Sequence, residues 1–113
     1  MPQDVEELLA QSAALVEERL GLGDRVHEPR PIDHLAGFRT RRAAEAAGEE
    51  LTASGYRIDG LYRRLLTVWL EFSAITAVDS ATAAAFTREI VPIVNRHGGT
   101  YDGWGGFLVG SDD

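Results

Sequence analysis

Apolar residues recur at Val5, Leu8, Leu9, Leu15, Val16 and Leu20, with Ser12 filling the gap in the stripe. This i, i+3, i+4, i+7 spacing predicts an amphipathic helix over residues 3–20, ended by Gly21 and Gly23, which tolerate a left-handed backbone. Glu6, Glu7, Glu17 and Glu18 fall off the stripe and make the outer face acidic. The stripe is expected to cover part of the following domain or a dimer mate; the other reading is a detachable arm that binds a partner.

Residues 24–31 are polar with prolines at Pro29 and Pro31, which predicts a linker. A strand follows over Ile32 to Phe38, with Ile32, His34, Ala36 and Phe38 sharing a face. Thr40 is placed to cap a helix over 41–53 whose small-residue face (Ala43, Ala44, Ala47, Gly48) permits close approach to a sheet, and Ser54-Gly55 ends it. Two strands come next, over 56–61 and 65–73. In the second, Leu66, Val68, Leu70 and Phe72 alternate with Leu65, Thr67, Trp69 and Glu71. Asp59-Gly60 is a hairpin signal, but it leaves a first strand of three residues, so the turn is expected near Tyr62-Arg63-Arg64. Asp79 or Ser80 caps a second core helix running to Arg96, with Pro92 inside it, and His97-Gly98-Gly99 closes it. A glycine-rich strand over 100–110 completes the chain. After the leading helix the order is βαββαβ, the pattern of an α+β ferredoxin-like sandwich with an additional N-terminal helix. The expectation is a single domain over 1–113, with the helix at 3–20 and the core at 29–110.

Composition removes whole classes of chemistry. The 113 residues include no cysteine, which excludes disulfides, Cys-ligated zinc, iron–sulfur clusters and a thiol nucleophile. His27, His34 and His97 share no short ligand spacing, and no GxxxxGK[ST], GxGxxG or GxSxG is present. No cofactor is therefore expected, and the reading is non-enzymatic. The opening Met1-Pro2-Gln3-Asp4 does not resemble a signal or transit peptide, and no stretch is apolar for long enough to span a bilayer. A cytoplasmic protein with no membrane contact is expected.

Charge narrows the partner. The net charge is −7, all eleven basic residues are Arg, and residues 1–28 alone carry −5. Such a chain repels a phosphate backbone, so no direct nucleic-acid binding is expected, and it is drawn instead to a basic protein surface. The candidate contacts are aromatic. With unbroken alternation, Trp69 and Trp104 point away from the helix-covered face, and Asp102 shares the face of Trp104. Tyr101 and Phe107 then fall on the core side. Asp102, Trp104, Tyr101, His34 and Trp69 are the candidate partner-binding residues.

Tyr101-Asp102-Gly103-Trp104-Gly105, following the helix end at Gly98-Gly99, resembles the closing strand of the regulator of ribonuclease E activity B (RraB) family. Ile32-Asp33-His34 in the first strand and Gly55-Tyr56-Arg57-Ile58 leading into the second are similar to motifs of that family in the same order, and the preceding acidic helix is its usual companion. The resemblance spans residues 5–108. It implies a ferredoxin-like fold and a cofactor-free protein that inhibits the endoribonuclease RNase E by binding it. RNase E-type enzymes carry Arg-rich segments that an acidic partner could occupy. The alternative is a general protein-interaction or dimerisation module with no nuclease target.

Overall fold

The computed structural model describes residues 2–110. Its elements are α1 (Val5–Gly21), β1 (Arg30–Phe38), α2 (Arg41–Ala53), β2 (Arg57–Arg64), β3 (Thr67–Thr76), α3 (Ser80–Arg96) and β4 (Thr100–Gly105). The antiparallel sheet has the order β2-β3-β1-β4, the ferredoxin-like arrangement reached by two split βαβ crossovers.

Each helix begins where a side chain satisfies its free N–H groups. Asp4 accepts from the Glu6 N–H, Thr40 from the Ala43 N–H and Asp79 from the Thr82 N–H. Gly55 and Gly98, at φ 101° and 68°, take the left-handed backbone that ends α2 and α3. The core lies between the helices and one sheet face. It joins Ile32, Ala36 and Phe38 of β1 and Val68, Leu70 and Phe72 of β3 to Ala44, Ala47, Leu51, Ile90 and Val94. α1 lies along α3, with Leu8 and Val16 buried in its own chain, so the apolar stripe covers this protein's own body. Among the described residues, no helix covers the other sheet face.

Three expectations are corrected. The hairpin turn lies at Leu65-Leu66, not at 62–64, and β2 runs on to Arg64. Asp59 is the extra residue of a bulge, where the register with β3 shifts between Ile58 and Gly60, so the Asp-Gly pair bends a strand and does not reverse it. Leu65 holds φ 56°, the left-handed region that an L-residue occupies at a cost. The glycine-rich strand ends at Gly105, five residues short of the expected 110, and Phe107 is 61% exposed, outside the core.

The third correction concerns residues 24–31, read as a linker. Asp24 and Arg30 have fully buried side chains. The Asp24 carboxylate accepts from Arg19 Nε at 2.8 Å, from Arg30 Nη1 at 3.0 Å and from the Val109 N–H at 3.1 Å. The guanidinium groups spend their remaining donors on carbonyls: Arg30 on those of Arg25, Glu28 and Phe107, and Arg19 on those of Gly106 and Phe107. Burial by itself would raise the Asp24 pKa, but the Val109 N–H and the two guanidiniums outweigh it and hold the carboxyl below its usual range.

Two outcomes follow in chemical denaturation. Asp24→Ala strands two buried guanidiniums and is expected to cost about 3–5 kcal/mol; a loss below about 1 kcal/mol would show that the network is dispensable. Leu65→Gly releases a left-handed backbone cost of roughly 1–2 kcal/mol against a glycine entropy cost of roughly 0.5–1 kcal/mol. The midpoint should therefore rise slightly, and a clear fall would contradict the strained turn.

Candidate partner-binding surfaces

The five candidate residues do not share one face of the sheet. His34, Tyr101 and Trp104 lie on the helix side. Trp69 lies on the open side, and Asp102 is exposed at the edge.

The placement of Trp104 corrects the expected alternation. Along β1, Ala36 pairs with Tyr101, Leu35 with Gly103 and His34 with Trp104, with a register shift between Leu35 and Ala36. One extra residue on β4 is absorbed there, and Gly103 at φ 107° adopts a conformation open to glycine and few others. Tyr101 and Trp104, three apart, therefore face the same way. Trp104 stands edge-on to Phe86 at 5.5 Å, donates its indole N–H to Ser12 Oγ at 3.1 Å, and lies under the Arg19 guanidinium at 5.4 Å. It is half-buried in the seam between α1 and β4, where Leu8, Gln11, Leu15 and Asp102 line a cleft of about 240 Å³. The start of α1 is fixed beside it. The Gln3 side chain accepts from the Tyr101 N–H at 2.7 Å and donates to the Tyr101 carbonyl at 2.9 Å, while Asn95 pairs with the Gln3 backbone at 3.1 and 3.0 Å.

His34 is 2% exposed and Tyr101 3% exposed, so neither reaches a partner directly. His34 stacks on Phe72 at 5.1 Å, with Phe86 and Tyr56 edge-on at 5.1 and 5.7 Å. Its Nδ1 shares a 2.7 Å hydrogen bond with the Tyr101 hydroxyl, and Nε2 has no hydrogen-bond partner among the described residues. Burial pushes the imidazole pKa down to about 3, because a cation here would have one hydroxyl and four aromatic rings for company. The same burial drives the Tyr56 and Tyr101 phenols upward, and Tyr56 donates to Glu89 at 2.7 Å.

On the open face Trp69 is the cross-strand partner of both Gly37 and Tyr62. A Cβ on Gly37 would sit 3.0 Å from the Trp69 ring, so the missing side chain is what lets the indole lie across β1. Tyr62, 40% exposed, extends this aromatic surface. It was missed because the expected turn enclosed it. Centring the hairpin on Leu65-Leu66 makes residues 62 and 69 partners, and that register was the signal available.

The sign of the His34 effect fixes a pH dependence. The folded state resists protonation while the unfolded chain accepts a proton near pH 6.5, so stability is whole above that value and falls on acidification. The slope from this residue is about 1.4 kcal/mol per pH unit, continuing until the folded-state value near 3. Urea unfolding of wild type and His34→Phe between pH 7.5 and pH 5 measures it. The variant should lose most of the slope, and equal slopes would remove His34 as the cause.

Among known protein families, the model described as regulator of ribonuclease activity B matches residues 9–106. No curated protein matches the chain.

Proposed function

The chain belongs to the regulator of ribonuclease activity B family, and from that premise we propose that it is a non-enzymatic protein that binds and inhibits an RNase E-type endoribonuclease, modulating RNA processing and decay. The carrying observation is the family match, which covers all of the fold from within α1 to the end of β4. The charge distribution supports it. Glu6, Glu7, Glu17 and Glu18 are exposed on α1, and Asp102 stands beside the half-buried Trp104 across the seam. An Arg-rich segment would meet the α1 carboxylates on the helix surface and Asp102 at the cleft that Trp104 lines. In this reading Asp102 and Trp104 make contact, while His34 and Tyr101 act from inside by holding β4 against β1. Trp69 belongs to a separate surface. No helix of the described residues is long and apolar enough to cross a membrane, and the proposed place of action is the cytoplasm, alongside the nuclease.

The test is RNA cleavage by the host's purified RNase E-type enzyme. Added protein should slow cleavage in proportion to its amount until a stoichiometric complex forms. Charge reversal at Glu17 and Glu18 should weaken inhibition by about tenfold or more at low salt, since rim charges act mainly through association. Cleavage undisturbed by a large excess of folded protein would refute the proposal.

A further inference from the structure

At one end of the sheet the charge of the molecule reverses. Arg39 follows β1, Arg41 and Arg42 open α2, and Arg63 and Arg64 close β2; all five are exposed. The stretches 39–42 and 63–66 contain no acidic residue, in a chain whose net charge is −7. Among the described residues only Arg41 of these five has a carboxylate partner, Glu45 at 3.5 Å. A groove of about 800 Å³ opens at this end, its lining including Phe38, Arg39, Thr40, Leu66, Trp69 and His97. Of the five arginines Arg39 lines it, and Arg63 and Arg64 flank the hairpin tip at its rim.

The tip beside this groove is apolar. Leu65 and Leu66 are each 88% exposed, the most exposed of the large apolar residues described, and Leu65 holds a backbone conformation that glycine would adopt at less cost. The fold does not need leucine at either position, because neither is buried. Leu66 leads through the groove to Trp69, and Tyr62 continues the apolar strip over the open sheet face. An exposed apolar strip with an aromatic centre and a charged rim is the anatomy of a protein interface.

We propose that this groove and hairpin tip dock an acidic segment of a protein partner. Apolar side chains of the segment seat against Leu66 and Trp69, its carboxylates meet Arg39 in the groove, and where it passes the hairpin tip they meet Arg63 and Arg64 at the rim. Leu66 and Trp69 share a concave groove, which a protein segment can enter and a lipid surface cannot follow. RNA is disfavoured because its phosphate chain would run off a small cationic patch onto an acidic surface, and the leucines would have nothing to do. This surface is opposite in charge to α1 and independent of the nuclease proposal, so either can fail without the other.

The experiment uses the full chain and fluorescently labelled short peptides in which Leu or Phe alternates with Asp and Glu, followed by polarisation. Saturable binding that weakens as salt rises is expected, with little binding of the counterpart carrying Lys at every acidic position. Arg63→Ser combined with Arg64→Ser, and separately Leu66→Ser, should each weaken binding about tenfold or more, while Arg88→Ser on α3 leaves it unchanged. Thermal melts confirm that these surface variants fold, and backbone amide shifts in the wild type should move at Leu66, Thr67 and Trp69. The proposal fails if no acidic peptide binds at millimolar concentration, or if the Lys peptides bind equally well. It fails also if single-stranded RNA or anionic vesicles are preferred at the same residues.

Discussion

A single buried carboxylate ties together parts of the chain that the hydrophobic core leaves apart. Asp24 receives the guanidinium of Arg19 from the end of α1, that of Arg30 from the start of β1, and the Val109 N–H from beyond β4. Two cations on one anion leave an excess positive charge inside, which the carbonyls of Arg25, Glu28, Gly106 and Phe107 offset. Buried ion pairs add little net stability relative to an apolar replacement, but breaking one is expensive. The consequence is geometric: with the α1 end fixed here and its start fixed by Gln3 and Asn95, the helix cannot slide along α3. Ser12 is thereby held where the Trp104 indole can reach it.

The bulge in β4 is the second constraint. Without the extra residue at Asp102-Gly103, Tyr101 and Trp104 would face opposite sides of the sheet. With it, Trp104 joins Tyr101 in the helix layer, where the Tyr101 hydroxyl is the one hydrogen-bond partner described for the His34 ring. An aromatic cluster running from Tyr56 through Phe72, His34 and Phe86 to Trp104 then connects the interior with the α1 seam.

What could be read from the sequence were features that act over a few residues. The caps Thr40 and Asp79, the glycines that end α2 and α3, and the alternation through Val68, Leu70 and Phe72 are local, and each falls where its pattern indicates. What escaped depends on pairing between distant segments. Nothing near Asp24 shows that two arginines, five and six residues away, will converge on it inside the protein. The face of Trp104 could not follow from alternation once one residue was inserted, because a single insertion sends every later side chain to the other side. Asp59-Gly60 carries a turn signal, yet Leu65-Leu66 makes the turn, since that register puts Leu61 opposite Leu70 and Tyr62 opposite Trp69. Cross-strand packing outweighed local turn preference.

The sheet edges decide what kind of recognition is open to this fold. An edge strand ordinarily offers unpaired backbone groups to an incoming strand. On β4, the Gln3 amide occupies both the N–H and the carbonyl of Tyr101, imitating a neighbouring strand for one residue, and the bulge that follows interrupts the ladder. On β2, Arg57, Asp59, Arg63 and Arg64 crowd the other edge with charge, and a second bulge breaks its register. Strand addition is thus discouraged on both sides. What the fold presents instead is side chains, among them the half-buried indole of the α1–β4 seam and the aromatic pair Tyr62 and Trp69 on the uncovered face. Gly37 gives that face its shape, because any larger residue would lift the Trp69 ring off β1.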